Sequence, residues 1–417
     1  MGPITLFDKS FLQSLSIDES VWFAAFFSPV VCPLFYVETL ADLEKAVRKG
    51  RTPEQEVGII AEKFPELSAY PCTHHSQLVT ASLLGWPVPM DGRIPRSGGR
   101  VVRLDGQTGV VYENPPEAEA FARWQQGRFL DIERGMAKRW RRELNAIDLR
   151  RVAKGFRELG IDGKLCKSLE DARALAGNVV TGTSQAFARM AMMLGALGID
   201  PNEARPILEG WTQAGFPSLA QFAPYAAHVV QVELFFQFAL AASQIGAERA
   251  SNRVDIAYLH YLPFSMMFVS SDRLHQRCAP LFLRDDQEFV WGPDLKADLA
   301  RINEHFKRLP DAEKERGVMG FAHSPPKIEG SIVRRLRARF MRKGYDEEPP
   351  VKLPPASDER TKKLVDELLK WKDAPEAAGD EFGAAVLAKE PDTMSIQRLV
   401  PKRKGSWWLL PKDLPDS

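Results

Sequence analysis

Two aspartates in this chain follow short segments with the composition of buried β-strands. Residues 3–7 are mostly apolar and end immediately before Asp8, and residues 265–269 end shortly before Asp272. In open α/β folds, ligand-binding side chains gather at the carboxyl ends of parallel strands. If both segments belong to one parallel sheet, the carboxylates of Asp8 and Asp272 reach the same crevice.

Two further carboxylates lie on helices that we predict beside these strands. Glu38 belongs to a helix predicted over residues 34–48, and Asp255 to one over residues 252–262, which Pro263 ends. Four carboxylates in one crevice repel one another unless a cation compensates their charge. Mg²⁺ and Mn²⁺ suit such a site, because both prefer oxygen ligands and retain bound water molecules.

The four carboxylates therefore form a candidate catalytic metal site. Ions held there can activate a water molecule and stabilise the leaving oxygen of a phosphodiester, without a covalent intermediate on serine or cysteine. Ser270 is predicted to orient a carboxylate or a water molecule. Asp42, one helical turn after Glu38, is a candidate auxiliary ligand. The predicted catalytic residues and metal ligands are Asp8, Glu38, Asp255 and Asp272.

Each acid also has a purely structural interpretation. Asp8 can cap the helix that starts at the next residue, because aspartate is a favoured N-cap. Glu38 can be a solvated helix carboxylate, Asp255 a first-turn acid at a helix N-terminus, and Asp272 a turn residue. Asp42 can lie on a solvated face or pair with a nearby lysine. The sequence leaves these alternatives open.

The order of these acids resembles that of the PIN-like nucleases. That family places an aspartate after the first strand, an acid on an early helix, an aspartate on a later helix, and an aspartate in a Thr/Ser-x-Asp turn after the next strand. The residues that match here are Asp8, Glu38, Asp255 and Asp272, with Ser270 in the Thr/Ser position. The resemblance covers roughly residues 1–50 and 250–290. The segment between them is far longer than in small PIN-type toxins.

The resemblance implies a three-layer α/β fold with a parallel sheet, here interrupted by a large, mainly helical insertion. We expect a PIN-like domain made of residues 1–50 and 251–330 and an insertion over residues 51–250. A basic helix, a linker and a partly disordered tail should follow in residues 331–417. Inside the insertion, the turn signal Asp105-Gly106 predicts a small hairpin.

The activity implied by the resemblance is that of an endonuclease that uses Mg²⁺ or Mn²⁺ to cleave RNA in preference to DNA. The alternative is a PIN-like module that binds nucleic acid or a protein partner without cleaving. A metal-binding assay separates the two, because a binding module has no need for four converging carboxylates.

Two stretches rich in Lys and Arg, residues 134–157 and 331–343, are candidate nucleic-acid surfaces. Basic clusters neutralise phosphates and give salt-dependent, mostly sequence-independent affinity. A solvated helix face or a protein-docking surface is the alternative for each. In residues 402–408, Lys and Arg precede two tryptophans, which can stack on bases or dock onto the parent domain. The candidate nucleic-acid contacts are Arg139, Arg141, Arg142, Arg334, Arg335 and Arg337.

The cysteines and histidines give weaker signals. The four cysteines form no C-x-x-C pair, which favours free thiols in a reducing compartment over a disulfide framework or a zinc ribbon. Cys72, His74 and His75 lack a nearby partner pair for structural zinc. His260 and His275 flank the proposed site and either contact phosphate or pack in the core.

Composition limits the class of protein. The chain is 44% apolar and 27% charged, which is ordinary for a soluble globular protein. The net charge of +1 means that any nucleic-acid surface must be local. The apolar run over residues 21–37 is interrupted by Pro29 and Pro33, so we interpret it as buried strand and helix rather than a membrane span. We expect a cytoplasmic protein; the oligomeric state stays open.

Overall fold

A five-stranded parallel sheet positions the candidate site. The computed structural model describes residues 2–45, 50–96, 99–200, 202–347, 359–376 and 393–414. The strands lie in the order β3-β2-β1-β6-β7, and every neighbouring pair is parallel. The strands of this sheet are β1 (Ile4–Phe7), β2 (Ser28–Val31), β3 (Tyr70–Pro71), β6 (Met267–Ser270) and β7 (Glu288–Trp291).

The two strands predicted to end at the site are neighbours. Phe7 of β1 is paired with Val269 of β6, so Asp8 and Asp272 leave the sheet at the same edge. Every residue of β2 and β6 is buried, which requires cover on both faces and explains their nearly continuous apolar sequence. An α/β fold around a parallel sheet is thus confirmed.

Helices surround this sheet and form the rest of the protein. Those up to residue 83 are α1 (Lys9–Ser14), α2 (Ile17–Phe26), α3 (Pro33–Leu40), α4 (Pro53–Ala61) and α5 (His75–Leu83). The middle of the chain contains α6 (Pro116–Gln125), α7 (Asp131–Ala146), α8 (Leu149–Glu158), α9 (Leu169–Thr181), α10 (Ala186–Ala196), α11 (Ala204–Gln213), α12 (Leu219–Phe222) and α13 (Pro224–Ala241). The remainder are α14 (Asn252–Ala257), α15 (Arg273–Cys278), α16 (Gly292–Lys307), α17 (Asp311–Lys314), α18 (Val318–Phe321), α19 (Ile332–Phe340) and α20 (Glu359–Asp373).

The helices nearest the site are shorter than predicted. The helix expected over residues 34–48 is α3 followed by a 3-10 turn, Ala41–Glu44; residues 46–49 lie outside the described residues. The helix expected over residues 252–262 is α14 followed by a 3-10 helix, Tyr258–Phe264. Both changes tighten the backbone directly after a candidate acid.

The long segment between the two halves of the sheet is mainly helical, as expected, but it also adds a strand. Helix α13 lies at its centre, is buried along most of its length, and packs on α8 and α9. The two-residue strand β3 comes from this segment and pairs with β2, so the segment extends the sheet as well as packing beside it.

Two smaller sheets lie outside the main one. The predicted hairpin is formed by β4 (Gly99–Leu104) and β5 (Gln107–Tyr112), joined at Asp105 and Gly106 with φ of 50° and 79°. Positive φ at both positions is the two-residue turn that favours Asp-Gly. Strand β8 (Thr393–Ile396) adds to β5 in parallel, and β9 (Arg403–Lys404) pairs with β10 (Trp407–Trp408).

The end of the chain docks onto the main domain over residues 393–414. Trp407 is 2% exposed, its indole N–H donates to Asn303, and its ring lies edge-on to Trp22. This fits the docking interpretation of the tail. Among the helices in the described residues, none is both long and apolar enough to cross a membrane.

Candidate active site

Asp8 lies at the carboxyl end of β1 and is 4% exposed. Its Oδ1 accepts the N–H of Phe11 at 2.9 Å, so Asp8 caps α1. Its Oδ2 accepts the hydroxyls of Ser10 at 2.6 Å and Ser270 at 2.8 Å. The capping interpretation is therefore correct, and it coexists with a place at the strand end.

Ser270 and His275 connect the two strand ends. Ser270 Oγ lies 2.8 Å from His275 Nδ1 and accepts the backbone N–H of Asp272 at 2.9 Å. His275 Nε2 lies 2.6 Å from the carbonyl oxygen of Asp255, and since a carbonyl can only accept, this nitrogen carries a proton. One serine hydroxyl thus holds Asp8, Asp272 and His275 in fixed positions.

The protons in this network are distributed by charge. Burial alone would lower the pKa of His275, but Asp8 and Asp255 raise it to about 9. Burial would raise the pKa of the Asp8 carboxyl, but His275, Ser10 and the Phe11 N–H lower it overall. An imidazolium can donate to Ser270, which in turn donates to Asp8. The network therefore holds Asp8 ionised and His275 positively charged at neutral pH.

Asp255 is the carboxylate without partners. It is partly buried, and within the part of the chain that the structure describes its side chain makes no hydrogen bond or salt bridge. Burial and the charges of Glu38, Asp272 and Asp8 raise its pKa to about 7, against the opposing effect of His275. All four predicted acids thus lie within electrostatic reach of one another.

Glu38 connects this cluster to a neighbouring group of ion pairs. Its Oε2 accepts the hydroxyl of the buried Tyr258 at 2.6 Å. Burial raises the pKa of Glu38, and Asp8 and Asp42 add to the effect, although Lys9 and Tyr258 oppose it. Lys9 Nζ donates to the carbonyl oxygen of Glu38 at 3.2 Å.

Asp42 belongs to that neighbouring group rather than to a solvated face. It is 2% exposed, and both its oxygens lie 3.0 Å from Lys9 Nζ. Arg141 of α7 reaches it at 3.3 Å, and Lys45, the partner expected from sequence, lies at 3.7 Å. With three cations around it, Asp42 has its charge compensated already, so we describe it as an ion-pair residue beside the site.

Asp272 also caps a helix. Its Oδ1 accepts the N–H of Leu274 at 2.6 Å, and its Oδ2 has no hydrogen-bond partner among the described residues. Among those residues, no three side chains of His, Cys, Asp or Glu stand together at metal-ligating distance. The cluster's uncompensated oxygens are those of Asp255 and Oδ2 of Asp272. They are hard ligands of the kind that Mg²⁺ and Mn²⁺ prefer.

The two basic stretches lie at opposite ends of the sheet. Helix α7 packs against the 3-10 turn Ala41–Glu44 beside the cluster. On it, Arg139 and Arg142 are exposed, and Arg139 pairs with Glu143, whereas Arg141 points inward to Asp42. This helix brings positive charge to the rim of the candidate site.

Helix α19, in contrast, lies at the amino ends of the strands. Arg335 and Arg339 pair with Glu288, the first residue of β7, at 2.5 and 2.6 Å. Arg337 is 1% exposed, pairs with Asp346 at 2.6 Å, and donates to the Phe26 carbonyl at 2.9 Å. A guanidinium so placed cannot meet phosphate without local unfolding.

The contacts of Arg334 are also made within the protein. The residue is partly buried, and its guanidinium donates to the carbonyl oxygen of Pro325. Arg334, Arg335 and Arg337 therefore lie away from the acidic cluster and supply no positive charge to its rim.

The candidate zinc residues form no such site. His74 Nδ1 accepts the N–H of Ser76 at the start of α5, and His75 lies 3.2 Å from the hydroxyl of Tyr261. All four cysteines are buried and free, as expected from their spacing. The chain matches no family model, no curated protein and no solved structure.

Two residues that fix the acids were not predicted for that role. His275 lies one turn after Asp272, and Tyr258 one turn after Asp255. The spacing of three residues, which places side chains on one face of a helix, was the available signal for both.

Proposed function

We propose that this protein is a metal-dependent endonuclease that acts on RNA, and on DNA to a lesser degree. The observation that supports it most is the Asp255 carboxylate. It lacks any partner in the described residues, while burial and the charges of Glu38, Asp272 and Asp8 raise its pKa. An uncompensated group of this kind in a crevice is a candidate functional residue.

The donor set fits a hard divalent cation. Asp8, Glu38, Asp255 and Asp272 would hold Mg²⁺ or Mn²⁺, which would relieve the repulsion that contributes to the raised pKa of Asp255. When bound, such an ion would activate a water molecule and stabilise the leaving oxygen of a phosphodiester.

The chain's own residues position these ligands. The Ser270 hydroxyl fixes one oxygen of Asp8, and the backbone N–H of Leu274 fixes one oxygen of Asp272. Tyr258 orients Glu38. Fixed ligands need little reorganisation when an ion binds, which is how a preorganised site gains affinity and rate.

Substrate would approach across α7. Arg139 and Arg142 are exposed near the cluster, and Arg141 connects their helix to it through Asp42. Arginines on one helix face neutralise backbone phosphates without reading sequence. The preference for RNA over DNA follows from the resemblance to PIN-like nucleases.

Cleavage of labelled single-stranded RNA in Mn²⁺, with EDTA as the blank, tests the proposal. Asp255→Asn and Asp272→Asn should each reduce the rate by several orders of magnitude, because losing charge at the metal removes several kcal/mol of transition-state stabilisation. Asp285→Asn is the matched control, since this exposed aspartate lies at the amino end of β7, away from the cluster. Equal cleavage by wild type and both cluster variants would overturn the assignment.

A non-catalytic nucleic-acid-binding module is the second candidate. It is favoured by the N-cap roles of Asp8 and Asp272, which give each carboxylate a structural purpose without metal. Wild-type protein that binds RNA but cleaves neither RNA nor DNA, with a melting temperature unaffected by Mn²⁺, would support this candidate over the first.

A further inference from the structure

A cavity of about 710 Å³ lies at the free edge of the main sheet, beyond β3. Its walls come from β3, the start of α6, the end of β5 and the docked segment 396–401. None of the four acids of the candidate active site lines it. Its volume is within the range of sites that enclose a small organic ligand, roughly 300–1,000 Å³.

Two arginines from distant parts of the chain meet in this cavity. The guanidinium carbon of Arg96 lies 4.1 Å from the ring centroid of Tyr70, and that of Arg398 lies 4.5 Å from the same centroid. Arg96 also lies 5.4 Å from the ring centroid of Tyr112. Two cations thus share one aromatic ring.

Neither arginine is neutralised by the protein. Within the described ranges, Arg96 and Arg398 form no salt bridge with a carboxylate; Arg398 donates to the Ala69 carbonyl, and Arg96 to the sulfur of Met394. Burial lowers the pKa of both guanidinium groups, and the charge of Arg398 lowers that of Arg96 further. A bound anion would remove this repulsion, and planar guanidinium groups match phosphate well.

The start of α6 adds to the attraction for an anion. Pro115, Pro116 and Glu117 line the cavity, and the N-cap Pro115 offers no side-chain cap. The positive end of the helix dipole is therefore directed toward this space. Glu117 and Glu113 also line the walls, so the site is divided between donors and acceptors.

An unsatisfied acceptor lies on the same wall. Oδ1 of Asn114 is buried and has no hydrogen-bond partner among the described residues, and Asn114 lines the cavity next to Glu113. A buried unpaired oxygen is costly unless a ligand donates to it. The aromatic rings of Phe121, Tyr112 and Tyr70 supply flat apolar surface between the two polar ends.

We propose that this cavity binds a nucleotide unit, with its phosphate on Arg96 and Arg398 and the amino group of its base on Asn114. The phosphate accounts for two cations that share no carboxylate, and an exocyclic amine accounts for the unpaired acceptor. A planar base fits between the rings. The unit can be a free mononucleotide or one residue of a single strand, and its binding does not require the proposed cleavage.

Calorimetric titration of the full chain tests the proposal. The ligands are AMP, CMP, inorganic phosphate, adenosine and a short single-stranded RNA, the last on Asp255→Asn protein to prevent cleavage. AMP or CMP should bind at least tenfold more tightly than phosphate or adenosine alone, because both ends of the ligand contribute. Tight binding of the mononucleotides identifies a free nucleotide as a ligand, and Asn114-dependent binding of RNA alone identifies a strand.

Three variants locate the binding. Arg96→Gln should weaken mononucleotide binding about tenfold, the usual order for one charge-assisted pair. Asn114→Ala should weaken it without destabilising the fold, since it removes an oxygen that has no partner in the described part of the chain. Arg103→Gln, on the exposed side of β4, is the control and should bind like wild type.

Binding of phosphate as tight as that of AMP would overturn the inference, as would mononucleotide binding unchanged by Asn114→Ala. Because the four acids lie outside the cavity, the outcome is independent of the cleavage assay. A chain that binds AMP but never cleaves would support this inference and refute the proposed activity.

Discussion

Ser270 donates a hydrogen bond of 2.8 Å to Oδ2 of Asp8 across 262 positions of sequence. The serine oxygen also accepts the backbone N–H of Asp272 and lies 2.8 Å from His275 Nδ1. Since a hydroxyl donates only once, His275 must supply the proton of its contact with the serine. Ser270 is therefore the centre of the network that joins the two strand ends.

Replacing Ser270 by Ala should destabilise the protein by about 1–3 kcal/mol, because it leaves buried polar groups without partners. Urea unfolding measures the change. Ser271→Ala is the matched control: its neighbouring hydroxyl is buried with no partner among the described residues, so its removal should cost little or stabilise slightly. Equal destabilisation by both variants would show that Ser270 has no special place in the network.

The pH dependence of stability should reveal the charged state of His275. Its folded pKa of about 9 is above the ordinary value of 6.5, so its contribution is complete below pH 6.5 and is lost as pH rises through 9. The free energy of unfolding of wild type relative to His275→Gln should fall by at most about 3 kcal/mol across that window. His305→Gln, at an exposed position, should show no such trend. A constant difference between pH 6 and 10 would contradict a charged His275.

The local parts of this site could be predicted from sequence. A short apolar segment followed by Asp signals a strand end, and this located Asp8 and Asp272 correctly at one edge. The Asp105-Gly106 turn fixed the hairpin in the same way. Such signals depend on neighbouring residues alone, and they do not need a partner elsewhere in the chain.

The long-range parts could not be predicted in this way. Strand β3 contains two residues, one of them proline, and it belongs to the sheet only because β2 lies beside it. Strand β8 comes from a tail expected to be partly disordered, and it forms by pairing with β5. The ion pair of Lys9 with Asp42 likewise depends on how α1 and α3 pack. Such interactions are set by tertiary context, which local propensity does not encode.

Charge reversal on α7 should weaken nucleic-acid binding. Arg139→Glu and Arg142→Glu remove exposed cations beside the acidic cluster, so affinity for single-stranded RNA should fall. The slope of log affinity against log salt should flatten by about 1 for each phosphate that the variant no longer neutralises. Lys327→Glu, an exposed change in a loop near Arg334, is the control. If all three variants weaken binding equally, nucleic acid binds through overall charge rather than through α7.

Asp255→Asn should stabilise the metal-free protein at neutral and alkaline pH. The folded pKa of Asp255, about 7, is raised above the ordinary 3.8, so ionisation costs stability progressively from pH 3.8 to 7 and fully above it. The partly exposed carboxylate is screened by solvent, so we expect a gain of roughly 1–2 kcal/mol at pH 8. Thermal unfolding at pH 8 and at pH 4 measures it, and the gain should disappear at the lower pH.

Addition of Mn²⁺ should reverse the order of the two proteins. At a hundred times its dissociation constant, a ligand that binds only the folded state stabilises by about 2.7 kcal/mol. Wild type should gain this increment at pH 8, whereas Asp255→Asn should gain little, because the amide no longer provides the charge that a hard cation needs. Asp285→Asn should respond like wild type, since it changes an exposed aspartate away from the cluster. A wild-type melting temperature that is the same with and without Mn²⁺, together with an Asp255→Asn variant less stable than wild type, would mean that Asp255 has a structural role and that the cluster holds no metal ion.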